Sequence, residues 1–95
     1  MFDRLLQRFR VFIESGHYAI SLHAREEMGD DGLTDLDVES CVLTGSIVER
    51  QLDRRTGEWK YVIEGRSVAG ERCVVVGKLT LTGKLGVLTV FMVEG

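Results

Sequence analysis

Proline is missing altogether, and histidine, cysteine and tryptophan are scarce: two, two and one in 95 residues. There is no internal repeat, low-complexity segment or linker-like stretch, so residues 1–95 are expected to form a single domain built around one core. Cys41 and Cys73 sit in apolar surroundings, with neither a Cys-x-x-Cys pair nor the spacing of a structural zinc site. Both are expected to be buried, reduced and unpaired. His17 and His23 lack carboxylate or cysteine partners at metal-ligand spacing, which argues against a metal site. The glycines Gly65, Gly70, Gly77, Gly83 and Gly86 are scattered as turn or bulge residues and form no phosphate loop, so no cofactor is expected. An excess of basic charge is also lacking. The formal charge is −3 and the pI near 5.3, against a broadly basic nucleic-acid-binding surface. No apolar run approaches the roughly 18 residues that span a bilayer, and Met1-Phe2-Asp3-Arg4 lacks the layout of a secretory signal. A cytoplasmic protein without membrane contact is the expectation.

What is present is an ordinary globular composition, 44% hydrophobic and 28% charged. Phe2, Leu5, Leu6, Phe9, Phe12 and Ile13 recur at three- and four-residue intervals, which predicts a helix from about Asp3 to Glu14, capped by Asp3 and ended at Ser15-Gly16. That apolar stripe suits a core or a second subunit equally. A second helix is expected after Ser21, whose hydroxyl suits an N-cap, ending at Gly29-Asp30-Asp31-Gly32. Thr34 and Asp37 then have the spacing of a capping box, with Leu33 and Val38 placed as a hydrophobic staple, and this third helix runs to about Thr44 with Gly45 as its C′ residue.

After Gly45 the period becomes extended. Ser46 to Leu52, Glu58 to Arg66, Arg72 to Thr80 and Lys84 to Val93 read as strands, with Trp59, Tyr61 and Ile63 on one face. The short connections imply antiparallel neighbours. The expected fold is therefore α+β, with the helical part (about 3–44) packed on one face of a four-stranded antiparallel sheet (about 46–93).

The residues richest in chemistry are Ser21-Leu22-His23-Ala24-Arg25-Glu26-Glu27-Met28. Imidazole exchanges a proton near physiological pH, and Glu26 and Glu27 follow His23 at three and four residues, on the same helical face. A structural histidine would fit the same pattern. Arg50, Arg54, Arg55 and Lys60 cluster in mid-chain, a set that could steer RNA or an acidic partner and that a solvated hairpin tip explains equally well.

The pattern Ser-x-His-Ala-x-Glu-x-Met, a helix opened by Thr34-Asp35, and Gly45-Ser46-Ile47-Val48-Glu49 together resemble the small bacterial proteins of the domain of unknown function 4258 family, over roughly Tyr18 to Val93. The resemblance implies a RelE-like fold. It also implies a place among toxin-like ribonucleases, related to the barnase, colicin and RelE lineage, some of which lie beside zinc-finger antitoxins.

Metal-independent RNA cleavage needs a base for the ribose 2′-oxygen, an acid for the leaving 5′-oxygen and positive charge or N–H donors for the phosphorane. On that reading His23 carries the proton, Glu26 holds or assists it, and Arg25, Lys60, Arg66 and Lys78 are sources of positive charge. Thr89 belongs to a closing segment that resembles the family's, in which a threonine is followed two residues on by an aromatic, often tyrosine. Phe91 stands there instead, and Lys60-Tyr61 replaces a common arginine-aromatic pair, losing the planar fork that grips phosphate. The implied partners are RNA and an antitoxin of zinc-finger or helix-turn-helix type. The alternative is a non-catalytic module that holds a protein partner or forms a homodimer through the same sheet.

Overall fold

The computed structural model describes residues 2–94. In chain order its elements are α1 (Asp3–Glu14), β1 (Tyr18–Ile20), α2 (Leu22–Asp31), α3 (Asp35–Thr44), β2 (Ser46–Asp53), β3 (Glu58–Arg66), β4 (Arg72–Leu79) and β5 (Leu85–Met92). The α+β arrangement is as expected from the change of period at Gly45, but the sheet has five strands and is mixed, in the order β1-β5-β4-β3-β2. The strands from β2 to β5 are antiparallel neighbours. β1 adds a parallel strand, pairing Tyr18 with Leu85 and Ile20 with Val87. Three residues are too few for alternation to show, and a parallel partner far along the chain leaves no turn signature between the two.

Phe9 and Ile13 from α1, Ala24 and Met28 from α2, and Val38, Cys41 and Val42 from α3 are buried against Ile63, Cys73, Val75, Leu85, Val87 and Val90 of the sheet. Tyr61 meets Phe2 and Phe9 edge-on, with ring centroids 5.6 and 5.9 Å away. Cys41 and Cys73 are free and buried. The neighbouring Cys73 sulfur, together with burial, pushes the Cys41 thiol up. Among the described residues no helix is long and apolar enough to cross a membrane.

The helix ends show why the chain folds as it does. Asp3 is the first residue of α1 rather than its cap; Phe2 occupies the N-cap with no side-chain bond. Ser21 does cap α2, its hydroxyl accepting the Ala24 N–H at 3.0 Å. Gly29 stays inside that helix and Gly32, at φ 69°, ends it. At α3, the Asp37 carboxylate accepts the Thr34 N–H at 2.9 Å, and its second oxygen accepts the Val68 N–H at 2.9 Å, tying the helix start to the β3–β4 turn. Both bonds hold the Asp37 carboxyl below its ordinary value.

Gly45 was expected as a left-handed C′ residue, yet its backbone is extended. A Cβ there would run into the carbonyls of Glu64 and Cys41, and one at Gly65 into the Cys41 carbonyl. Close approach of α3 to β3, not handedness, requires these two glycines. Arg10 of α1 closes the same corner by donating to the Val42 and Gly45 carbonyls at 3.1 and 2.9 Å.

Candidate functional site at the α2–β5 edge

Beyond Val87, the outer edge of β5 has no strand beside it, because β1 stops at Ile20. An unpaired edge exposes a row of N–H and C=O groups. Helix α2 covers it with side chains instead. The Ser21 backbone N–H donates to the Val87 carbonyl at 2.9 Å, and its hydroxyl to the Leu88 carbonyl at 3.2 Å. Glu27 accepts the Val90 N–H at 3.2 Å, and Asp31 the Met92 N–H at 3.0 Å. Ala24 and Met28 anchor the buried side of the same helix. Most of the Ser-x-His-Ala-x-Glu-x-Met element is therefore committed to docking α2 on the sheet.

Glu26 and His23 are the exceptions, and of the two His23 is the one that finds a partner. Its side chain is 68% exposed, and Nε2 lies 3.3 Å from Oε1 of Glu27, the oxygen that also accepts the Val90 N–H. The imidazole is thus tied, through one carboxylate, to the β5 backbone next to Thr89. Sequence reasoning assigned the assisting carboxylate to Glu26. Glu26 is exposed and makes no side-chain hydrogen bond or ion pair among the described residues. The i,i+3 and i,i+4 spacings did not choose between them, since both glutamates share the histidine's face.

The other sequence-derived candidates are dispersed. Arg25 forms a two-pronged pair with Asp35, at 2.6 and 3.3 Å, which holds the Asp35 carboxyl below its ordinary value. It is not a free cation. Thr89 aligns with Val76 on β4, and Val76 with Val62 on β3, so Thr89 and Lys60 share the outer, helix-free face of the sheet. Two strand spacings separate β3 from β5, about 10 Å. Lys78, on that face, is paired with Glu58 at 3.1 Å. Arg66 stands opposite Arg72 at the far end of the β3–β4 ladder, where Arg72 is paired with Glu64. The structure therefore links His23, through Glu27, to the β5 backbone beside Thr89, and leaves Arg25, Lys60 and Arg66 elsewhere.

Sequence reasoning also missed a second pair beside Arg25. The Tyr18 hydroxyl donates to Glu39 at 2.5 Å, and burial together with that carboxylate pushes its pKa up to about 12. The Tyr18 hydroxyl proton is thus engaged by Glu39. Among the described residues no group of three His, Cys, Asp or Glu side chains is placed to hold a metal ion.

No curated protein and no solved structure matches the chain. A family model, described as Domain of unknown function (DUF4258), matches residues 20–91, from the end of β1 through the edge-docking helix to β5. That span is most of the chain and contains His23, Glu27 and Thr89, and the chain belongs to this family.

Proposed function

We propose that the chain is a small cytoplasmic, toxin-like protein of a bacterial toxin–antitoxin pair, RelE-like in layout, that cleaves RNA without a metal. The observation that carries this reading is the exposed imidazole of His23 held 3.3 Å from Glu27 at the β5 edge, next to Thr89. A carboxylate at this distance can hold one ring nitrogen and so orient an accessible imidazole to take the ribose 2′-OH proton at the other. The 2′-oxygen then attacks phosphorus and the 5′-oxygen leaves with a proton, giving a 2′,3′-cyclic phosphate and a 5′-hydroxyl end. The Thr89 hydroxyl is on the outer face beside this edge and supplies a hydrogen bond to a phosphate oxygen. Lys60 provides positive charge farther along that face. Arg25 contributes only if its pair with Asp35 opens.

A second reading, a non-catalytic module that binds a protein or a second copy of itself, is favoured by a different observation. The outer face of the sheet carries exposed Phe91 beside half-buried Val62 and Val76, packed over the buried Val74. The test compares parent and His23→Ala for cleavage of total RNA in EDTA, growth inhibition on expression, and melting. The ribonuclease reading expects parental cleavage that the substitution abolishes, at an almost unchanged midpoint, because so exposed a ring contributes little to packing. Parent protein that neither cuts RNA nor inhibits growth, tested free of any partner, leaves the binding module.

A further inference from the structure

Four basic residues, Arg50, Arg54, Arg55 and Lys60, fall within eleven positions of a chain whose net charge is −3. Elsewhere three basic side chains are ion-paired: Arg25 with Asp35, Arg72 with Glu64 and Lys78 with Glu58. Among the described residues none of the four in the β2–β3 hairpin makes an ion pair. Glu49, Asp53 and Glu58 share the hairpin, Asp53 near Arg55 and Lys60, and the balance still leaves this tip slightly positive on an acidic molecule.

That tip also carries the chain's one tryptophan. Trp59 is 41% exposed, and the Arg50 guanidinium carbon sits 4.1 Å from the centre of its ring. Beside it is a cleft of about 250 Å³ lined by Gly57, Glu58, Trp59, Tyr61 and Leu79. Sites for drug-sized ligands span roughly 300–1,000 Å³, so this one is on the scale of a single planar ring system. Its far wall is firm, because Tyr61 is wedged against Phe2 and Phe9. Arg54 and Arg55 occupy the turn immediately next to it, both exposed.

An exposed aromatic ring with an arginine stacked on it, a ring-sized cleft, and two exposed arginines in the adjoining turn are the parts from which single-stranded nucleic acid is held. A base stacks on the aromatic or guanidinium plane and flanking phosphates take the cations. We infer that the β2–β3 hairpin is a single-stranded RNA subsite, with one unpaired base stacked at Trp59 and Arg50 and its neighbouring phosphates on Arg54 and Arg55. The site lies across the sheet from His23, so it anchors the strand and does not touch the scissile bond. Choosing RNA as the ligand rests on the ribonuclease reading above; the stacking and charge do not.

Binding can be separated from cleavage with a 2′-O-methyl octa-adenylate, which has no free 2′-hydroxyl to act as nucleophile. Titrated into the parent chain at low salt, it is expected to quench the fluorescence of Trp59, the only tryptophan. With a labelled copy of the same oligonucleotide read by anisotropy, Trp59→Ala should weaken affinity roughly 5- to 100-fold, the range for one lost base stack. Trp59→Phe should keep most of it. Replacing Arg54 and Arg55 together by alanine should make the slope of log affinity against log salt shallower by about 1.4, two phosphates at 0.7 each for a single strand. The complementary duplex should bind more weakly, since its bases are not free to stack. Absence of quenching, equal binding of the duplex, or unchanged affinity in both the tryptophan and arginine variants would overturn the subsite. A parent chain that binds this probe as described but leaves unmodified RNA intact keeps the subsite and retires the nuclease.

Discussion

Glu27 is asked to do two things at once, and two substitutions pull them apart. Its Oε1 accepts the Val90 N–H at 3.2 Å and stands 3.3 Å from Nε2 of His23, in a side chain 27% exposed. Glu27→Ala removes both contacts, leaving the Val90 N–H on an edge that β1 does not reach. An unsatisfied backbone donor costs about 1–3 kcal/mol. Partial access of water puts this one near the lower end, about 1–1.5 kcal/mol, and in a domain of this size that lowers the melting midpoint by roughly 5–10 °C. Glu27→Gln keeps a carbonyl oxygen of the same reach, so the bond to Val90 survives with a neutral acceptor and the midpoint should fall by no more than about 3 °C. Both variants lose the charge beside the imidazole. An exposed pair of this kind is worth about 0.2–1 kcal/mol, so losing the carboxylate that holds the ring should slow cleavage by up to about fivefold. Differential scanning fluorimetry and RNA cleavage in EDTA, run on the same three preparations, should show Ala and Gln equally slow but unequally stable. An alanine variant melting within about 2 °C of parent would show that the edge is not held by this carboxylate. A glutamine variant cutting RNA at the parental rate would remove Glu27 from the chemistry.

Asp37→Asn should destabilise the chain by about 1 kcal/mol at pH 7, since it weakens the bonds to Thr34 and Val68, and the difference from parent should shrink as pH falls. The sign follows from the depressed carboxyl: its contribution is full above the ordinary value of 3.8 and is lost as pH drops through the lower folded value, so a gap in urea midpoint that is constant from pH 7 to 3 would contradict it. Gly65→Ala should cost at least about 2 kcal/mol in urea denaturation, because the new methyl has the Cys41 carbonyl in its place; a variant within about 0.5 kcal/mol of parent would show that α3 can withdraw from β3.

Much of the fold was legible because local signals and tertiary packing agree. The apolar stripe of α1, the Ser21 cap, the Thr34–Asp37 cap and the three hairpins all announce themselves over a few residues, and each is where the spacing put it to within about a residue. What was not legible is non-local. β1 depends on a partner at the other end of the chain, and Gly45 looked like a helix cap because nothing in the sequence says that Glu64 will lie against it. A glycine required by contact and one required by handedness are the same letter.

The candidate site divides along the same line. His23 was readable because a lone histidine at a capped helix start, with carboxylates a turn away, is a local pattern. The choice between Glu26 and Glu27 was not, since both spacings put a carboxylate near the ring and only the free edge of β5 selects one. Glu27 turns toward that edge because the Val90 N–H needs an acceptor there; Glu26 has no such demand and remains in solvent. Arg25 shows the converse. As a basic residue beside the histidine it looked like a phosphate ligand, until the start of α3 brought Asp35 against it. In both cases the sequence supplied the charge and the packing decided its partner. The same reasoning applies to Arg50, Arg54 and Arg55, whose significance lies in forming no ion pair among the described residues while Arg50 stacks on an exposed tryptophan, a property of the folded hairpin that composition alone does not distinguish from a solvated turn.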